Sequence, residues 1–346
     1  MKKMLALLLA LVMVLSLAAC ASSQPAAAST ETAETTETTE PAAEESAEAP
    51  AESGKTYTVG VCQLVQHEAL DAATQGFVDA LKEELGDAVT VDVQNASGDS
   101  VNCGTIVNGF VSKGVDLIMA NATPALTAAV SATADIPILG TSITAYGVAL
   151  DIDDFNGTVG GNVSGTSDLA DLQAQAQMIL DWFPETKTVG LLFCSAEPNS
   201  RYQIDEVRKA LEAQGVTCEE FAFTDSNDVS SVTQKAADFS DVVYIPTDNT
   251  AASNTEAIAN VLIPAGVPAI CGEEGLCRGC GVATLSISYY DLGVTTGKMA
   301  AKILTGEADI SEMPIEYFQN PVKKYAAERC AALGIEIPSD YVAIEG

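Results

Sequence analysis

The sequence predicts an α/β protein with two doubly wound parallel-sheet lobes joined by a hinge. Three observations lead to this fold class. Short, almost wholly apolar runs of strand length alternate with amphipathic helical segments, which is the pattern of a parallel sheet covered on both faces. The order βαβαβαβ occurs twice along the chain. Polar turns follow the strands and lead into helices, and ligands of such sheets bind at those turns.

The chain begins with a predicted export signal. Lys2 and Lys3 precede an apolar run that ends at Cys20. This run has the length of a signal-peptide core and is too short to span a hydrocarbon layer of ~30 Å comfortably. Its last residues, LAAC, resemble the lipobox of bacterial lipoproteins, which predicts a signal peptide over 1–19 and a lipidated Cys20. The alternative is an ordinary export signal with an incidental cysteine.

The next segment, 20–54, is predicted to be a disordered acidic tether. It has no aromatic residue, and all of its charges are glutamates. Such a composition cannot bury enough apolar surface to offset the entropy of ordering. We therefore expect the mature protein on the extracytoplasmic face of the cell membrane, held there by its lipid.

The charge of the chain excludes some classes of partner. The sequence has 48 acidic and 16 basic residues, for a formal net charge of −32. This balance argues against binding of nucleic acid or anionic lipid through a basic face.

The first half of the remaining chain alternates regularly between strands and helices. Its strands are predicted at 57–64, 89–95, 115–120 and 136–141, and its helices at 68–85, 101–113 and 124–133. The pattern then restarts, with strands at 188–194, 216–223, 241–246, 267–271 and 282–287 and helices at 169–182, 201–214, 229–237, 253–264 and 290–305.

These elements divide into two lobes. We expect the first lobe to comprise 55–163 with about 283–313, and the second to comprise 164–282 with about 314–346. In doubly wound sheets the ligand lies beyond the carboxyl ends of the strands, so the polar turns of both halves are expected to converge on one cleft.

The polar turns carry groups suited to a zwitterion. Each turn feeds a helix N-terminus, whose exposed N–H groups favour a carboxylate. Asp168 and Asp248 offer a negative partner for an ammonium group, and Thr123, Ser167 and Ser200 offer hydroxyl groups. The alternative for each residue is a helix N-cap, because Ser, Thr, Asp and Asn are the preferred capping residues.

Several motifs at these turns carry a resemblance to a known family. The segments VGVCQLVQHEALDAATQGFVDAL, NATPA, SGTSD, CSAEPNS, YIPTDNTAAS and VATLSISYYDLGVTTGKMAAKILTGE resemble the substrate-binding lipoproteins of ABC importers, in the group that binds tryptophan or tyrosine. The resemblance runs from Tyr57 to the end of the chain. It implies a periplasmic-binding-protein-like fold of type I and an aromatic or related amino acid as cargo.

The resemblance also implies roles for individual residues and partners. It implies that the amino and carboxylate groups are held by Thr123, Ser167, Asp168, Asn199, Ser200, Asp248 and Asn249. Gln66 and either Tyr289 or Tyr290 would lie beside the ligand side chain. The expected partners are an ABC permease and its ATPase, and the protein is expected to be a monomer without cofactor or metal.

Other functions are weighed against this one. A sensory lipoprotein that binds another small metabolite is equally compatible with the sequence. A cell-surface hydrolase is disfavoured, because the chain has a single histidine, His67, and no G-x-S-x-G elbow. The segment 293–298 resembles a phosphate loop but is one residue short and lies within a helical pattern.

The segment Cys277-Arg278-Gly279-Cys280 can be interpreted as a local disulfide, half of a zinc site or a redox pair. A zinc site needs two more ligands, and the pair does not lie in a thioredoxin-like opening unit. We therefore expect free thiols or a local disulfide without a catalytic role.

Overall fold

The computed structural model describes residues 54–318 and 320–345. The predicted signal peptide, the predicted lipidation at Cys20 and the predicted tether up to residue 53 lie outside the described residues. Within the described part, no helix is long and apolar enough to cross a membrane.

A first parallel sheet is built by the beginning of the chain. Its elements are β1 (Tyr57–Gln63), α1 (Glu68–Leu85), β2 (Val89–Asn95), α2 (Ser100–Lys113), β3 (Leu117–Asn121), α3 (Thr123–Ala132), β4 (Ile138–Ile143), α4 (Tyr146–Ala149) and β5 (Val163–Ser167).

A second sheet follows, formed by α5 (Leu172–Trp182), β6 (Thr188–Cys194), α6 (Pro198–Ala213), β7 (Thr217–Phe223), α7 (Val229–Phe239), β8 (Val242–Ile245), α8 (Asn249–Ala252), α9 (Thr255–Ala265), β9 (Ala269–Cys271), α10 (Glu274–Cys280) and β10 (Ala283–Ser286). The chain ends with α11 (Tyr289–Thr305), β11 (Glu316–Tyr317), β12 (Val322–Tyr325), α12 (Ala327–Leu333) and β13 (Val342–Ala343).

The two sheets confirm the predicted fold class. Their strand orders are β11-β5-β4-β3-β1-β2 and β13-β12-β10-β9-β8-β6-β7, and every pair except β10 with β12 is parallel. Helices cover both faces of each sheet, as β1, which lies between β3 and β2, illustrates. Val59 and Val61 pack with Phe77 on one face, and Cys62 packs with Phe110 on the other.

The chain crosses between the sheets slightly later than the expected lobe boundaries. β5 (Val163–Ser167) pairs with β4 in the first sheet, and β10 (Ala283–Ser286) pairs with β9 and β12 in the second. The first sheet therefore retains residues up to Ser167, and the return to it begins after Ser286. A further crossing separates β11 from β12.

Glycines allow the returning helix α11 to lie directly against α1. A Cβ atom on Gly293 would lie 2.0 Å from the carbonyl oxygen of Ala73, and one on Gly76 would lie 2.1 Å from that of Tyr290. Only glycine permits such an approach of two backbones. Gly293 and Gly297, which made the segment resemble a phosphate loop, thus serve helix packing.

Candidate functional site

A narrow cavity lies between the two sheets, at the carboxyl ends of their strands. Its free volume is about 10 Å³, which is room for about one water-sized sphere. An amino acid could enter only if the lobes parted. The cavity is lined by His67, Leu70, Ser142, Thr144, Asp168, Asn199, Thr247, Asp248, Asn249, Ala252, Glu273 and Tyr289.

Asp168 is a buried carboxylate in the wall of this cavity. It directly follows β5, and its Oδ2 atom accepts a hydrogen bond of 2.9 Å from the Tyr289 hydroxyl. Its Oδ1 atom is buried and has no hydrogen-bond partner among the described residues. Burial raises the pKa of Asp168 to about 6, and the hydroxyls of Tyr289 and Thr144 and the backbone N–H of Asp168 itself oppose this effect. Asp168 is therefore ionised at neutral pH and suited to a cationic donor.

Asn199 presents a second unpaired acceptor. The residue lies in the first turn of α6, where its Nδ2 atom donates to Thr247 O and to Glu197 Oε2, both at 3.2 Å. These acceptors fix the orientation of the amide, so the oxygen Oδ1 points away from them. Oδ1 is buried without a partner within the described part of the chain.

Asp248 also lines the cavity, and both of its oxygens accept hydrogen bonds from within the protein. Oδ2 accepts from Cys194 N at 2.6 Å and from Ser200 Oγ at 2.8 Å, and Oδ1 accepts from Ala251 N at 2.8 Å. Asp248 is thus the N-cap of α8 and ties it to β6. Burial, together with the nearby Glu197 carboxylate, raises the pKa of Asp248.

Glu273 closes another side of the cavity. Its carboxylate caps α10 by accepting from Gly275 N at 2.6 Å and Leu276 N at 2.5 Å. Burial raises the pKa of Glu273 to about 7. The sequence pattern gave no signal for this residue, because α10 was not predicted as a helix.

The structure brings half of the predicted site residues to the cavity, namely Asp168, Asn199, Asp248, Asn249 and Tyr289. Thr123, Ser167 and Ser200 are buried but do not line it. Gln66 and Tyr290 are exposed, and the Tyr290 hydroxyl bonds to Asp79 Oδ2 at 3.2 Å. Tyr289 and Tyr290 are adjacent in α11 and therefore lie on different faces of the helix: Tyr289 faces the cavity, and Tyr290 is exposed to solvent.

Two contacts join the lobes at the start of α1. His67 Nε2 lies 3.2 Å from Asn249 Oδ1. Because Asn249 Nδ2 donates to Glu197 Oε2 at 2.7 Å, its oxygen must be the acceptor and His67 Nε2 the donor. The neighbouring Glu68 forms an ion pair with Arg278 of α10. The His67–Asn249 contact lies in the wall of the cavity, and the Glu68–Arg278 pair bridges the lobes outside it.

The cysteines supply no further site. The eight cysteines of the described residues are free thiols, and Cys277 and Cys280 are buried in α10. No cluster of His, Cys, Asp and Glu within 54–318 and 320–345 could hold a metal ion.

Comparison with known proteins agrees with this arrangement. The family model for ABC transporter substrate binding proteins matches residues 58–341. A tyrosine-binding protein from Clostridioides difficile is 32% identical over 270 residues, which cover 76% of this chain and 77% of that protein.

Two solved structures allow a comparison of conformations. An ABC domain from Streptococcus pneumoniae in complex with L-Trp is 32% identical, with a TM-score of 0.78 over 82% of this chain and 97% of that one. The ligand-free, open structure of a substrate-binding protein with adhesive properties from Clostridium difficile is 34% identical, with a TM-score of 0.63 over 84% and 100%. At nearly equal identity, the present structure is more similar to the L-Trp complex.

The matched residues extend over both lobes and include every residue that lines the cavity. The chain therefore belongs to the family of ABC transporter substrate-binding proteins.

Proposed function

We propose that this chain is the solute-binding lipoprotein of an ABC importer, and that it binds an aromatic amino acid between its lobes. The observation that carries the proposal is the unpaired Oδ1 of Asp168. An ionised carboxylate that is 5% exposed, and that has hydroxyl groups but no cationic partner beside it among the described residues, is costly unless a ligand supplies a cation. The α-ammonium group of an amino acid is such a cation.

The related proteins support the choice of an aromatic amino acid. The Streptococcus pneumoniae domain holds L-Trp, and the Clostridioides difficile relative is a tyrosine-binding protein. In the proposed cycle the open protein takes up the amino acid at one lobe, and closure brings the second lobe onto it. The ligand thereby shifts the equilibrium between open and closed forms. The closed form then docks on a permease and its ATPase, and the ligand leaves unchanged.

The proposed location rests on the amino-terminal sequence. Cleavage before Cys20 and lipidation of its thiol would anchor the protein to the membrane, with 20–54 as a tether long enough to keep the lobes mobile. We further propose that the protein acts as a monomer, with each lobe built from discontinuous parts of the chain as expected from the sequence. Growth with labelled palmitate, in wild type and Cys20→Ala, tests the anchor.

Calorimetry tests the proposed ligand. The purified protein is titrated with L-Trp, L-Tyr, L-Phe, aliphatic amino acids and sugars, and the ligand is recovered afterwards for mass spectrometry. We expect an aromatic amino acid to bind most tightly and to be recovered intact. Binding of a sugar or another metabolite in preference to every amino acid would overturn the proposal, and so would conversion of the ligand.

A further inference from the structure

Ser142 occupies an unusual backbone position beside the cavity. It lies near the end of β4, where the register with β5 shifts. Gly140 and Ile143 of β4 pair with Gly165 and Ser167 of β5, so β4 carries one extra residue. Such bulges re-aim a side chain and are frequent beside functional sites. Within the bulge Ser142 has φ = 56°, in the left-handed region that residues with a Cβ seldom adopt.

The side chain that this bulge presents is buried and unpaired. Ser142 is 7% exposed and lines the cavity, and its Oγ atom has no hydrogen-bond partner among the residues that the structure describes. Left-handed backbone and an unsatisfied buried hydroxyl each oppose folding. The surrounding fold maintains both at one residue, and such strain clusters at ligand sites.

Three residues that line this one narrow cavity therefore each carry a buried oxygen atom without a hydrogen-bond partner in the described part of the chain. These atoms are Oγ of Ser142, Oδ1 of Asp168 and Oδ1 of Asn199. The last two can act only as acceptors, since Asp168 is ionised and the Asn199 nitrogen is engaged elsewhere. A hydroxyl oxygen also accepts. A primary ammonium group has three N–H donors, one for each of these oxygens.

We propose that Ser142 completes an ammonium subsite with Asp168 and Asn199, and that this subsite selects a primary over an N-methylated amine. This inference rests on the proposed function and assigns the group of the ligand that each side chain recognises. A methyl group on the nitrogen would remove one donor and leave one acceptor unpaired in a dry site. Discrimination of this kind is strong because the unpaired group stays buried.

The test uses Ser142→Ala and Ser142→Gly with three probes: L-tryptophan, L-tryptophanamide and Nα-methyl-L-tryptophan. The same series built on L-tyrosine is run in parallel. We expect Ser142→Ala to weaken binding of the parent amino acid about three- to tenfold, the range of one net hydrogen bond. Ser142→Ala should weaken binding of L-tryptophanamide by the same factor, because this probe keeps the primary ammonium group. Wild type should bind the Nα-methyl derivative at least tenfold more weakly than the parent, and Ser142→Ala should narrow that difference.

Thermal unfolding without ligand separates this role from a merely structural one. Neither variant should lower Tm, because alanine removes an unsatisfied hydroxyl and glycine also accepts the left-handed backbone. Ser97→Gly is the matched control, since Ser97 has φ = 57° but is exposed in a loop. It should leave affinity unchanged.

Three results would overturn the inference. The first is unchanged affinity in both Ser142 variants, and the second is a loss of affinity that only follows a lower Tm. The third is a loss of affinity in Ser142→Ala that is seen with the parent amino acid but not with its amide. The last would place the hydroxyl on the ligand carboxylate. If wild type binds none of the probes, the proposed function itself fails, and the two failures are thus distinguishable.

Discussion

Replacement of Asp168 by asparagine should make the ligand-free protein more stable and should weaken its binding of the ligand. The substitution keeps the shape of the side chain and an oxygen for the Tyr289 hydroxyl, and it removes a buried charge. The new amide nitrogen would take the place of Oδ1, in a cavity that Ser142 and Asn199 also line and where each has an unpaired oxygen. If every polar group of the site had a hydrogen-bond partner in the ligand-free protein, most substitutions there would destabilise the fold instead.

The size of the effect follows from the pKa of Asp168. Burial raises this pKa from 3.8 to about 6. A difference of about two pH units corresponds to about 3 kcal/mol of lost stability once the group is ionised in both states. A raised carboxyl pKa stabilises the folded state at low pH, and that contribution is lost as pH rises through the folded pKa. The stability gap between Asp168→Asn and wild type should thus open between about pH 4 and pH 6 and stay constant above.

Denaturant unfolding across this pH range measures the gap, and calorimetry measures the affinity. We expect Asp168→Asn to gain about 1–3 kcal/mol at pH 7.5, after the imperfect pairing of the new amide is allowed for. Binding of the amino acid should weaken about tenfold or more, the loss of a charge-assisted hydrogen bond. Asp238→Asn is the control, because Asp238 is exposed and, within the described residues, accepts a hydrogen bond only from Gln234, at 2.9 Å. A less stable Asp168→Asn protein, or one with wild-type affinity, would refute the reasoning.

Three further substitutions test the frame around the cavity. Asp248→Ala should lower the free energy of unfolding by about 1–3 kcal/mol, because buried donors lose their acceptor; an unchanged denaturation midpoint would contradict its capping role. Arg278→Ala removes the half-exposed ion pair with Glu68 and should speed ligand release up to about fivefold in stopped-flow measurements, less so at high salt; equal rates would exclude a bridging role. Burial lowers the pKa of His67, so protonation should favour the open form below about pH 6.5. His67→Gln keeps a donor for Asn249 and should flatten the fall in affinity between pH 7.5 and 5, and an unaltered pH profile would disprove this.

The fold was predictable where local and tertiary preferences agree. α1 spans 68–85 and β6 spans 188–194, as predicted, because a strongly amphipathic helix and a buried apolar strand carry clear periodic signals. β5 gave no such signal, since its sequence VSGTS is short and polar. Its residues are nevertheless buried, and the Thr166 hydroxyl finds partners in Thr141 at 3.1 Å and Thr296 at 2.9 Å. Those partners are distant in sequence.

The site was predictable at the level of turns but not of atoms. Sequence reasoning placed Asp168 and Asn199 at the cleft, where both line the cavity, because polar residues after buried strands converge in this topology. It missed Ser142, whose exposure to the cavity depends on a bulge that no local pattern announces. It gave Asp248 the role of an ammonium partner, which stays a prediction: Asp248 lines the cavity, but its oxygens also accept from Cys194, Ser200 and Ala251 and so cap a helix. Capping and ligand binding call for the same residue types, and only the hydrogen bonds separate them.

The unpaired acceptors explain why closure should depend on the ligand. In this structure the buried charge of Asp168 costs about 3 kcal/mol relative to water, and opening would remove the part of that cost that comes from closure. The Glu68–Arg278 pair is about half exposed and can return at most about 1 kcal/mol, and the His67–Asn249 hydrogen bond a similar amount. These two polar contacts together therefore return less than the full cost of the buried charge. If Asp168 binds the ammonium group as proposed, the ligand removes that cost only when it is present, so the same carboxylate would both recognise the ligand and favour the open form of the empty protein.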